Sequence, residues 1–250
     1  MATPATPTKV GSVFDLPAKS VKLVRENLAM FALVNIVSII TAVLAVFGSR
    51  NTHSESEFAN LGTVFGGIKP DNDLVASVGL GLVIFIVTLA ASVFLYAMAT
   101  SLQLRVTRGE RPAAHVLIET AKKYWLRQLA LFIVMGFIIG VGLLLLIVPG
   151  IFAIIRLSLA PYLMFEKDLA IIDALKSSNE LAKQNMGAIG AALLLFLAIS
   201  IGAGIISAIP YVGQLLATAI SIAYSLILVL RYREITGFKK DKVASPIHQS

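Results

Sequence analysis

Six long apolar runs with a single charge among them constrain this chain more than any other feature. They cover residues 28–48, 74–98, 129–148, 151–165, 187–209 and 211–230, and the one charge is Arg156. An α-helix needs about 20 mostly apolar residues to cross roughly 30 Å of hydrocarbon. Strands of a membrane barrel would instead alternate over about 10 residues. A soluble domain of this size cannot hide a composition that is 57% hydrophobic and 14% charged. The chain has no Cys, which excludes disulfide scaffolds and thiolate metal sites. The expected fold is therefore all-α: a polytopic membrane protein with six transmembrane helices as three helical hairpins. Residues 1–10 read as a disordered tail, 11–235 as one transmembrane domain, and 236–250 as a cytoplasmic tail.

Lys and Arg beside the spans set the orientation. Lys9, Lys19, Lys22 and Arg25 precede the first run. Six more lie in 99–128, three in 166–186 and five after 230. The alternate loops hold only Arg50 and Lys69. Both termini are thus expected in the cytoplasm, and the net charge of +7 reads as a topology signal, not as nucleic-acid binding. The first apolar run is too long for a signal peptide and lacks its cleavage pattern, so it reads as a retained span.

Each pair of spans follows an amphipathic stretch: 15–27, 112–125 and 168–185. In the last, Ile171, Ala174, Leu175, Ser178, Leu181 and Ala182 share one helical face, with Asp168 as an N-cap. Such helices are expected to lie in the cytoplasmic interface, apolar face down, near anionic headgroups. Leu23-Val24-Arg25-Glu26-Asn27 resembles Leu181-Ala182-Lys183-Gln184-Asn185, and Ser92…Tyr96 resembles Ser158…Tyr162. Ser221 and Tyr224 hold a comparable place in the sixth span. The pattern reads as three parallel repeats.

Arg156 is the first candidate site, because a charge inside a span is costly. Two readings stand. It snorkels from about 9 Å below the outer turn to the outer headgroups. Or it faces the interior and holds an anion, with Asn35, Glu55, Glu57, Asp71 or Asp73 near it. The Ser/Tyr set Ser92, Tyr96, Ser158, Tyr162, Ser221 and Tyr224 reads either as the lining of a polar cavity or as interface anchors. Gly136, Gly140, Gly202 and Gly204 mark helix-packing faces, within the bundle, against a homo-oligomer, or against a protein partner. Pro161 should kink the fourth span, whose 15 residues reach only about 22 Å unless the helix is buried or continues past Phe165.

His53, His115 and His248 are isolated, no span carries an acid, and no HExxH, GxSxG, Walker A or GxGxxG occurs. A non-enzymatic protein without cofactor is expected: one that engages lipid or a partner in envelope maintenance. A permease for a small or amphiphilic solute, or an accessory subunit, are the alternatives.

The run Leu143 to Tyr162 includes Pro149-Gly150, Arg156, Ser158 and Pro161, and continues to Ala174-Leu-Lys-Ser-Ser178. It resembles a family of uncharacterised multi-pass bacterial inner-membrane proteins. That family is similar to the membrane domain attached to some glycerophosphoryl diester phosphodiesterases. The match is good over 140–186 and weaker over 112–235. The resemblance implies six helices and a bacterial plasma membrane. It implies no phosphodiesterase activity, since this chain has no catalytic phosphodiesterase domain.

Overall fold

The computed structural model describes residues 11–48, 74–209 and 212–237. The tails and the loop holding Glu55, Glu57, Asp71 and Asp73 lie outside the described residues. Among the described residues there is no strand. The helices are α1 (Asp15–Glu26), α2 (Leu28–Val34), α3 (Ile36–Gly48), α4 (Leu74–Thr107), α5 (Ala114–Leu145), α6 (Ile147–Leu157), α7 (Ala160–Lys167), α8 (Ile171–Gln184), α9 (Met186–Ser207), α10 (Gly213–Ala223) and α11 (Ile227–Thr236). Among the described residues five helical stretches are long and apolar enough to cross a membrane: Phe85–Thr107, Ala114–Leu145, Ile147–Lys167, Met186–Ser207 and Gly213–Thr236.

The first apolar run is not among them; it breaks at Asn35 into pieces of 7 and 13 residues. The Asn35 amide Nδ2 donates to Phe31 O at 2.8 Å, sharing the carbonyl that its own backbone N–H uses at 3.1 Å. Such local side-chain bonds compete with the helix ladder.

Pro17, Pro149 and Pro161 all stand in the first turn of a helix, where no intrahelical acceptor is lost. This moves two expected boundaries. The turn between the third and fourth runs falls at Leu146, whose backbone is extended, not at Pro149-Gly150. Gly150 instead permits α6 to fold back on α5. A Cβ there would lie 2.4 Å from Leu143 Cδ2 and 2.9 Å from its backbone N, and a Cβ on Gly142 would lie 3.1 Å from Gly150 Cα. The fourth span is interrupted at Ser158-Leu159, just before Pro161, whose ring would clash with the carbonyl of Leu157. The helix then continues to Lys167.

The amphipathic segments differ from the expected interfacial helices. Their small and apolar faces are buried against protein. Leu16, Ser20 and Val24 of α1 pack toward α10 and α11; Ala174, Ser178 and Ala182 of α8 pack across α6 and α7. The third segment is the first half of the unbroken α5, with Leu117, Ala121, Tyr124 and Gln128 buried. Asp168 does not cap α8. It ends α7 in the left-handed region (φ 48°), and α8 starts after Ala170.

Details recur between α1 and α8. Asn27 and Asn185 have nearly the same φ/ψ (−125°/28° and −128°/26°), and each Nδ2 donates to the carbonyl four residues back, at 3.0 and 3.1 Å. Seven residues earlier, Ser20 Oγ donates to Ala223 O at 2.6 Å, and Ser178 Oγ donates to Arg156 O at 2.7 Å. Two residues beyond those acceptors, Ser225 and Ser158 each bond the carbonyl three residues back at 2.9 Å, and there the helix breaks. The counterpart of Ser158 in the sixth run is thus Ser225, not Ser221.

The core gathers at one end, around Leu102, Leu104, Leu117, Tyr162, Leu163, Leu226 and Tyr232. At the other end large apolar side chains face outward, such as Phe137 at 74%, Leu144 at 89% and Ile205 at 70% exposure. Only hydrocarbon accommodates so broad an apolar band.

Candidate functional site

Among the described residues two charged arrangements stand out, one closed and one open. The closed one joins three helix ends. Glu166 of α7 takes Arg108, just after α4, at 2.9 Å, and also Arg233 of α11, through one carboxylate oxygen. Arg233 Nε donates to Thr107 Oγ1 at 3.2 Å and Nη2 to Leu104 O at 3.0 Å. The Glu166 and Arg233 side chains are each only 6% exposed. Tyr232 stacks on Tyr162 with ring centroids 5.9 Å apart. One carboxylate oxygen is shared by two guanidiniums, and the Arg233 guanidinium is also bonded to backbone and hydroxyl, so the charges hold one another across the helix ends. They form a clamp. Lys123 and Arg127 of α5 bind Asp168 at 3.0 and 2.7 Å beside it. Hydrogen bonds from Lys123 and Tyr124, then Arg127, hold the Asp168 carboxyl down at about 2. Among the described residues no cluster of His, Asp and Glu is placed to hold a metal ion.

The open arrangement is at Arg156. A cavity of about 530 Å³ is lined by Arg156, Asn179 and the apolar Ile138, Val148, Pro149, Phe152, Ala153 and Leu157. Arg156 Nε is buried without a hydrogen-bond partner. A buried unpaired donor of this kind is costly. Arg156 lies about 14 Å along α6 from its start at Ile147. Its carbonyl is held by Ser178 of α8, whose Lys176, Glu180 and Lys183 are exposed. Exposed charges cannot lie in hydrocarbon. Arg156 therefore stands beside the helix that carries these exposed charges.

With this geometry in place, the comparisons can be weighed. The model of an uncharacterised protein family, UPF0259, matches residues 28–230. The chain belongs to the UPF0259 family. It is 33% identical over 92 residues, 37% of either chain, to a UPF0259 membrane protein of Pectobacterium carotovorum. It is 31% identical over 113 residues, 45% of this chain and 44% of theirs, to UPF0259 membrane proteins of Yersinia pestis and Yersinia pseudotuberculosis. The matched part thus spans less than half of the length of these curated relatives. No solved structure matches the chain. Nothing in these matches links the UPF0259 chain to the membrane domain of glycerophosphoryl diester phosphodiesterases. With its apolar helices, the family places this chain among integral membrane proteins.

The other expected site residues of this UPF0259 protein scatter. Asn35 does not meet Arg156; it lines a different cavity with Ser38, Ser200, Ser207, Gln214, Thr218 and Ser221. Ser92 is exposed and bonds Thr88 O, Tyr96 packs edge-on to Phe132, Tyr162 is buried on Tyr232, Ser158 bonds its own helix, and Tyr224 packs near Leu16 and Ile227. Of the Ser/Tyr set, only Ser221 lines a cavity described here. A Cβ on Gly136, Gly140, Gly202 or Gly204 would meet nothing within 4 Å, so close backbone approach occurs elsewhere, at Gly142, Gly150 and Gly213. Sequence reading missed the clamp. Its one signal was an acid, Glu166, following the fourth run without a linker.

Proposed function

We propose that this UPF0259 protein is a non-enzymatic bacterial inner-membrane protein that binds an anionic amphiphile at Arg156. The carrying observation is a guanidinium with a buried, unpartnered Nε in a cavity of otherwise mostly apolar walls, at the boundary of the apolar band. A guanidinium matches phosphate or carboxylate geometry, and Ile138, Val148 and Phe152 suit an acyl chain. In this reading the chain has six spans as three hairpins, α2–α3 being the first, with both termini and the clamp end in the cytoplasm. Anionic headgroups of the cytoplasmic leaflet then reach Arg156, and the role is envelope maintenance through lipid or a partner.

Native mass spectrometry of detergent-purified wild type and Arg156→Leu with added phosphatidylglycerol tests this. Loss of a charge-assisted contact of roughly 1.5–3 kcal/mol should weaken retention at least about ten-fold. Equal retention by both would overturn the reading.

A permease is the second reading, favoured by the cavity of about 450 Å³ at Asn35, Ser200, Gln214 and Ser221. Solute flux in vesicles that falls on Ser221→Leu would support it. No flux above empty vesicles would remove it.

A further inference from the structure

A second cavity, of about 460 Å³, lies where the internal repeat puts the counterpart of the Arg156 cavity. Leu215, Ala219 and Ala223 line it and stand ten, six and two residues before Ser225. Val148, Phe152 and Arg156 stand at the same distances before Ser158. Val21 follows Ser20 as Asn179 follows Ser178, and both residues line their cavities. The register is fixed by the matching bonds of Ser20 and Ser178. The two cavities are therefore the same groove, between an amphipathic helix and a broken span, built twice.

The charge has moved, not vanished. Ala223 replaces Arg156, and the second groove takes its cation from α1, as Arg25. No acid lines it, and the other walls, including Leu28, Ile39 and Leu215, are apolar apart from Thr218. Arg25 is exposed on a helix that also exposes Lys19 and Lys22, so it stands at the level of headgroups.

We infer that this groove holds a second anionic phospholipid, its phosphate on Arg25 and an acyl chain against Leu28, Ile39 and Leu215. The inference rests on the reading of Arg156 for its ligand class. It rests on the repeat and on Arg25 for its place. Charge complementarity chooses the occupant: one cation with no acid in a mostly apolar groove fits one singly charged headgroup with its tail. The protein then binds two lipids, one per groove.

The experiment is native mass spectrometry of the full chain in mild detergent, titrated with phosphatidylglycerol and, separately, phosphatidylcholine. Wild type should retain two phosphatidylglycerols, Arg25→Leu one, Arg156→Leu one, and the double variant none, with phosphatidylcholine retained about ten-fold less. Arg25→Lys should restore the second lipid in part. Arg25 is exposed, so its loss leaves the core untouched; a circular-dichroism melt matching wild type checks this. Two lipids retained by Arg25→Leu would overturn the inference. One lipid in Arg25→Leu but two in Arg156→Leu would uphold this groove and remove the Arg156 reading. Equal retention of both lipids would mean annular occupancy only and would overturn both.

Discussion

The two ends of this molecule are stabilised by different means. At the clamp end, Leu102, Leu117, Leu163 and Tyr232 are almost wholly buried, and Glu166 ties α4, α7 and α11 together. At the other end, α5 and α9 expose Phe137, Leu144, Leu194 and Ile205, and a Cβ added at Gly136 or Gly204 would meet nothing within 4 Å. The first end is built like a soluble protein, where burial of apolar surface drives packing. The second is built for hydrocarbon, where exposed apolar area costs nothing and backbone bonds must be closed within each helix. Arg156 and Arg25 lie where the two regimes meet.

The contrast can be broken most severely at the clamp. Glu166→Gln leaves Arg233 buried without its counter-charge and should cost about 3–5 kcal/mol, read as thermal unfolding in detergent. A comparable loss from Leu144→Gln in the apolar end, in detergent, would erase the distinction. A smaller effect is expected where α6 folds back on α5. Gly150→Ala puts a Cβ into Leu143 and should cost about 1–3 kcal/mol, while Gly136→Ala, with open space around it, should be near neutral.

Next come the paired serines. Ser178→Ala removes the bond to Arg156 O and should cost about 1 kcal/mol; Ser20→Ala removes the bond to Ala223 O and a longer one accepted from Leu226 N at 3.4 Å, and should cost about as much or slightly more. A negligible loss at either serine would weaken the repeat. The smallest effect is acidic. The Asp168 carboxyl titrates at about 2 in the folded chain, below the usual value near 4, so its contribution is full above about pH 4. It fades as the pH falls toward 2. Asp168→Asn should flatten that limb of a stability–pH profile and lower stability at neutral pH by the same amount, a small one since the group is exposed.

Much of this was legible in the sequence for local reasons. Apolar runs announce spans, and the likeness of the segments ending at Asn27 and Asn185 pointed to a repeat. The clamp was not legible, because Glu166 meets partners 58 and 67 residues away, and Arg108 and Arg233 look in sequence like ordinary positive-inside residues. The glycines at Gly136, Gly140, Gly202 and Gly204 do not mark close approach within the chain, because spacing marks a smooth face, not what covers it. Asn35 and Arg156 were read together as rare polar groups in spans. They occupy separate cavities, since pairing depends on which helices meet.

The most direct test uses the absence of Cys. Single cysteines at Lys176 and Phe137, both exposed in the structure, are to be treated with a water-soluble maleimide in opened membrane fragments. Only a bilayer edge between them distinguishes the two. The account predicts rapid labelling of Lys176→Cys and protection of Phe137→Cys until detergent is added. Equal labelling of both before detergent would contradict it.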